Sequence, residues 1–179
     1  MGFRSTSSHY GAGARTLHWL VAILVLAAYL VTKGDRYSLY SSDADGIRRV
    51  HETLGVLVFV AVVMQMLWRL IDSVPAKKPL QRWIAIAARL VRFVLFTLLV
   101  AIPATAVLGT WLVGLPMTLL GFDIEPKIEL AHELGQRIME MHTVLGNALL
   151  WVAGGHAAAA LFHHFVLRDN VLRSMTSGE

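Results

Sequence analysis

Hydrophobic and polar positions along this chain fall in long blocks. Four blocks are apolar over roughly 18–20 residues, the length a helix needs to cross a bilayer's hydrocarbon layer. They lie at about 15–33 (around HWLVAILVLAAYLVT), 51–71 (HETLGVLVFVAVVMQMLWRLI), 90–114 (LVRFVLFTLLVAIPATAVLGTWLVG) and 142–167 (HTVLGNALLWVAGGHAAAALFHH onward). Polar, turn-forming stretches separate them: GDRYSLYSSDADG (34–46), DSVPAKKP (72–79) and GFDIEPKIE (121–129). Pro103 inside the third block predicts a kink whose freed backbone groups are taken up by neighbours. KIELAHELGQRIMEM (127–141) reads as an amphipathic segment, lying at the interface or extending the fourth helix. The pattern predicts an all-α fold, a four-helix transmembrane bundle forming a single domain over residues 1–179. No internal repeat or low-complexity tract interrupts it.

Composition sharpens this picture. Of 179 residues, 56% are apolar and 16% charged, with a mean hydropathy of +0.59; a soluble domain carries about 25% charged residues. The first apolar run is followed by no small-residue cleavage site, so it reads as a retained anchor rather than a signal peptide. There is no cysteine, which excludes disulfides, thiolate nucleophiles, cysteine-held iron–sulfur clusters and covalently attached c-type haem.

The net charge of +4 gives a direction. One side of the predicted bundle holds Arg4, Arg15, Arg69, Lys77, Lys78, Arg82, Arg89, Arg92, Arg168 and Arg173. The other holds Lys33, Arg36, Arg48, Arg49, Lys127 and Arg137. The positive-inside rule therefore puts both termini in the cytoplasm. No interleaved basic and aromatic surface suits nucleic acid.

Histidines carry the candidate chemistry. His18 opens the first helix at the inner depth, His51 the second at the outer depth, and His142 the fourth, also outer. His156 follows His142 by 14 residues, about 21 Å along a helix and within about 40° of the same face. Two depth-matched pairs result: His18 with His156, and His51 with His142. Each suits a planar metal macrocycle clamped between helices, and bis-imidazole ligation is a standard mode for b-type haem. Small residues beside them (Gly55, Gly146, Gly154, Gly155 and Ala157–Ala160) would clear room for a porphyrin, although membrane helices also use small residues simply to pack. Singly, each histidine is as well explained as a polar core residue; the depth-matched pairing on separate helices is what favours ligation. Zinc is disfavoured, since HETLG lacks the second histidine of HExxH and no compact four-ligand set appears.

RTLHWL (15–20), RVHETLG (49–55), MHTVLGNALLWVAGGHAAAALFHH (141–164) and RDNVLRSM (168–175) together make the chain resemble the bacterial cytochrome b561 family, four-helix di-haem membrane cytochromes, and within it the superoxide oxidase type. The resemblance runs over nearly the whole chain. It implies two haem b groups, with His18 and His156 as axial ligands of the inner one and His51 and His142 of the outer. It implies that His163 lies near bound ubiquinone, and that electrons pass from superoxide on the periplasmic side to membrane quinone across a bacterial inner membrane. The 115–141 connection departs from the pattern. It holds Asp123, Glu125, Glu129, Glu133 and Glu140 against Lys127 and Arg137, whereas a small anionic donor calls for a positive approach. Only Lys33, Arg36, Arg48 and Arg49 are left for that role.

Other residues have two readings each. His163 and His164 suit quinone hydrogen bonding or proton relay, or plain interfacial placement. Arg15 and Arg69 at the inner depth, and Arg48 and Arg49 at the outer, suit haem propionates, although a snorkelling flank is the commoner role. Trp19, Trp68, Trp83, Trp111 and Trp151 read as interfacial or core residues, and His9 and His132 as solvated ones. Two further functions compete: a cytochrome b subunit fed by a partner dehydrogenase or hydrogenase, and a metal-ion or proton transporter built on intramembrane histidines.

Overall fold

Each apolar block folds as one helix. The computed structural model describes residues 2–6, 10–32, 45–72 and 82–176, with α1 at Ala12–Val31, α2 at Asp45–Ile71, α3 at Arg82–Leu112, α4 at His132–Phe165 and a short α5 at Val171–Thr176. The first four are long and apolar enough to cross a membrane. Lys33, Arg36, Lys77, Lys78 and His9 lie outside the described residues.

The helices outrun their apolar windows, most of all at the starts of α2, α3 and α4. Segments such as RWIAIAAR and HELGQRIMEM are made largely of good helix formers. Apolarity marks where a helix meets lipid, whereas backbone hydrogen bonding continues into the polar flank. The 127–141 stretch accordingly divides: helix from His132 as an extension of α4, irregular chain before it.

The polar stretch read as a turn at 121–129 is partly strand. β1 (Met117–Leu119) pairs antiparallel with β2 (Phe122–Ile124). Leu120 (φ 50°) and Gly121 (φ 87°) both adopt positive φ, as a two-residue hairpin turn with the twist of its strands requires.

The helices pack chiefly as two hairpins, α1 against α2 and α3 against α4, with α2 touching α3 more lightly. Close approach of α3 and α4 rests on Gly109 and Gly135. A Cβ at Gly135 would stand 2.8 Å from Val113 Cγ1 and 3.0 Å from the Gly109 carbonyl. Val21, Val58, Ala61, Val62, Leu98, Leu99 and Leu149 form the central core. Many other apolar side chains face outward, among them Leu70 and Trp151, each 81% exposed. That surface suits hydrocarbon rather than water.

At the end carrying both termini, the chain before α1 is strapped onto α2. Asp72 accepts from the Ser5 N–H (2.9 Å), the Ser5 hydroxyl (2.5 Å) and Trp68 Nε1 (3.2 Å). The Gly2 and Phe3 carbonyls take the N–H groups of Ala12 and Gly13, which would otherwise be orphans at the helix start. Pro103 leaves α3 unbroken as a helix. In that turn the Thr105 hydroxyl donates to the Ala101 and Ile102 carbonyls.

Candidate functional site

The two hairpins meet along α2 and α3, and His51 of α2 reaches His142 of α4 across that seam. His51 and His142 stand with ring centroids 6.1 Å apart and planes at 88°. Both rings are tethered through Nδ1, His51 to the Ala28 carbonyl (3.0 Å) and His142 to the Ile102 carbonyl (2.9 Å). A carbonyl oxygen only accepts, so each Nδ1 carries the hydrogen and each Nε2 keeps its lone pair. This is the tautomer a metal ligand needs, fixed by the hydrogen bond of the other nitrogen.

At the opposite depth, His18 lies within electrostatic range of His156, and His156 within that of Arg92 on α3. Leu149, midway between His142 and His156 on α4, belongs to the central core. A layer of aliphatic side chains therefore separates the two imidazole levels. Gly55 and Gly146, one turn from His51 and His142 respectively, are partly buried, yet an added Cβ would meet no atom within 4 Å at either.

Arg48 and Arg49 have their guanidinium groups taken up by the protein itself. Arg48 binds Asp45 (2.5 Å) and Glu52 (2.8 Å); Arg49 binds Asp45 (2.8 Å) and Asp123 (2.8 Å). Glu52 also accepts from the Thr118 N–H (2.7 Å), and the Thr118 hydroxyl donates to Asp123 (2.6 Å). The bonds close a six-residue ring in which every oxygen of the three carboxylates is used. The ring ties the β1–β2 hairpin to the first turns of α2. Its Thr118 and Arg49 bonds hold the Asp123 carboxyl below its ordinary pKa.

At the termini end, Arg15 Nη1 donates to the Thr176 carbonyl and Trp19 Nε1 to the Met175 carbonyl, both at 2.8 Å. Both contacts pin the last turn of α5 across α1. His163 Nδ1 donates to Asp169 Oδ2 at 2.5 Å, while Asp169 Oδ1 accepts the Val171 N–H at 3.0 Å. Partial burial pushes the Asp169 carboxyl up, but the His163 and Val171 bonds outweigh it and leave it below the usual value. His163 follows His156 by seven residues, two helical turns, and so shares its face. His132 is exposed at the start of α4. Trp111 Nε1 is buried with no hydrogen-bond partner among the described residues.

Sequence reading missed four of these residues. Glu52 carried a signal, being a carboxylate in the first turn of an apolar span, where ionisable groups are costly and seldom idle. Arg92 carried the same signal inside the third. Thr118 and Asp169 carried none, since their importance comes from what folds against them.

These features define a class: a multi-pass helical membrane protein in which two helices bring tautomer-fixed imidazoles together, the construction by which bundle cores hold metal cofactors. The sequence model of the family described as prokaryotic cytochrome b561 matches residues 9–178. The chain belongs to the prokaryotic cytochrome b561 family, and with it to the haem b-binding electron-transfer proteins of the bacterial inner membrane. It is 29% identical to cytochrome b561 homolog 2 of Escherichia coli strain K12, with 98% of this chain and 95% of that protein covered. Cytochrome b561 homolog 1 of the same strain is 27% identical, over 89% and 92%. A probable superoxide oxidase CybB of Yersinia pestis is 28% identical, over 89% and 90%.

The His51–His142 pair suits such a group: the rings stand 6.1 Å apart on separate helices, and tethering of each Nδ1 leaves each Nε2 lone pair for a metal.

Proposed function

We propose that the protein is a di-haem b superoxide:ubiquinone oxidoreductase, with His51 and His142 holding the outer haem and His18 and His156 the inner. The observation that supports this reading is the outer pair: rings 6.1 Å apart with planes near perpendicular, each with Nδ1 bound to a neighbouring helix's carbonyl. Haem b supplies one-electron exchange at iron. The reaction balances with two superoxide anions each losing one electron to become dioxygen, and one ubiquinone taking both electrons with two protons to become quinol.

The chain's own contributions follow from its geometry. The Ala28 and Ile102 carbonyls orient the outer imidazoles, and Gly55 and Gly146 leave space beside them. The aliphatic layer around Leu149 keeps water from the passage between the two levels. His163, placed on the His156 face at the termini end, is the quinone-side imidazole, and Arg15 flanks the inner site while holding α5.

A second reading, in which a partner dehydrogenase or hydrogenase delivers the electrons, is favoured by the ring around Arg48 and Arg49. Those two arginines are neutralised by three carboxylates, and Glu125, Glu129, Glu133 and Glu140 add further negative charge to that end. Such a face does not steer a small anion inward.

Haem stoichiometry and optical spectra of the purified protein, with His51→Ala and His156→Ala alongside, test the ligand assignment. Two haems per chain are expected, falling to one in each variant; a variant retaining two refutes the pairing. Superoxide-driven reduction of ubiquinone by the protein alone decides between the donors. A fully haem-loaded protein inert to superoxide leaves the partner-fed reading.

A further inference from the structure

We infer that Asp169 is a positioning residue for quinone reduction, holding His163 so that protons leave from Nε2. This rests on the reading of His163 as the quinone-side imidazole. The geometry is specific to the turn after α4. There the chain reverses, with Arg168 at φ 50° and the Asp169 N–H returning to the His163 carbonyl at 3.1 Å. The same residue's carboxylate then receives His163 Nδ1–H at 2.5 Å. One residue thus grips His163 at both backbone and ring.

The carboxylate is itself held. Its second oxygen accepts the Val171 N–H at the start of α5, and the far end of α5 is fixed to α1 by Arg15 and Trp19. Asp169 is therefore braced by three helices rather than swinging from a free tail.

This arrangement has a chemical consequence. A carboxylate only accepts, so the hydrogen on Nδ1 stays there throughout. The proton that a reduced quinone oxygen takes must leave Nε2, and the imidazole left behind is already the tautomer that Asp169 binds. No ring flip or tautomer exchange intervenes. Nε2 is then recharged from water at the termini end, where the Asp169 side chain is 34% exposed. Each quinone takes two protons this way, matching the two electrons it receives.

Asp169 also closes the turn into α5 through its bond to the Val171 N–H, so its substitution must separate positioning from folding. Asn closes the same side-chain-to-backbone turn as Asp, which leaves it in place, but its amide can present N–H to His163 and select the opposite tautomer. Full-length, haem-loaded protein, reduced beforehand with dithionite, is mixed with a short-chain ubiquinone, and haem reoxidation is followed; this bypasses the identity of the donor. For Asp169→Asn the limiting rate is expected to fall about tenfold or more. The quinone concentration at half-saturation should stay within about twofold and the haem spectrum should not change. Asp169→Glu should recover part of the rate. Because Asp169 acts through His163, adding Asp169→Asn to His163→Ala should cause no further loss. A wild-type limiting rate in Asp169→Asn overturns the inference, as does a double variant slowed by the full additional factor. A wild-type rate in His163→Ala instead overturns the underlying quinone reading, while leaving the haem assignment intact.

Discussion

Glu52→Ala should release the β-hairpin from α2 while leaving the membrane helices folded. Glu52 is 8% exposed, and its carboxylate accepts from Arg48 Nη1 at 2.8 Å and from the Thr118 N–H at 2.7 Å. Thr118 is fully buried, so its N–H has no solvent to turn to, and an orphaned buried donor costs about 1–3 kcal/mol. Removing one partner of a buried ion pair costs about 3–5 kcal/mol. Arg48 belongs at or below the bottom of that range, because it keeps Asp45 and its side chain retains 14% exposure. A loss of about 3 kcal/mol in all is expected, a factor of about a hundred in the opening equilibrium. Two three-residue strands hold little stability of their own, so the loss should appear as local opening rather than global unfolding. Amide hydrogen exchange over residues 115–125 should quicken about a hundredfold in Glu52→Ala and hardly at all in Glu125→Ala, whose side chain is exposed. Exchange within about threefold of wild type for Glu52→Ala would refute the ring as the clasp.

The same hairpin predicts a pH dependence. Asp123's pKa is depressed in the folded protein by its Thr118 and Arg49 bonds. Its contribution is therefore complete above the unfolded value of about 4 and fades only as pH falls through the lower folded value. Exchange protection of the hairpin, corrected for the intrinsic pH effect, should be level from pH 8 to 5 and decline below about 4; a decline beginning near pH 6 would contradict this. At the α3–α4 crossing, Gly135→Ala forces a Cβ against Val113 and Leu112 and should cost about 1–3 kcal/mol. The midpoint of thermal helix loss in detergent should drop, whereas Gly46→Ala, with nothing within 4 Å, should not lower it. Equal midpoints for the two would show that the crossing yields without strain.

The four membrane helices were legible because the property that makes them is local. An apolar run long enough to span lipid must satisfy its own backbone, and a helix does so without help from the rest of the chain. Pairing His51 with His142 was legible for a related reason: up-and-down threading converts sequence position into depth. The bounds of α2, α3 and α4 were not, since polar helix formers carry the backbone past the apolar window. Nor was the β1–β2 hairpin, whose Leu-Gly turn is a weak signal inside a stretch rich in polar residues.

What only the tertiary structure decided is who holds whom. Arg48 and Arg49 read in sequence as cations offered to a cofactor or an anion; folding supplied Asp123, 74 residues from Arg49, as a partner and closed a ring instead. Which nitrogen of His51 and His142 carries its hydrogen depended on carbonyls of α1 and α3. The grip of Asp169 on His163 depended on a reversal after α4. Sequence alone determined the helices, their order and the place of each imidazole along its helix, because bilayer thickness and helical rise act on contiguous residues. Orientation, protonation and charge pairing waited on the fold, because hydrogen bonds are satisfied by whichever group packing brings within 3 Å.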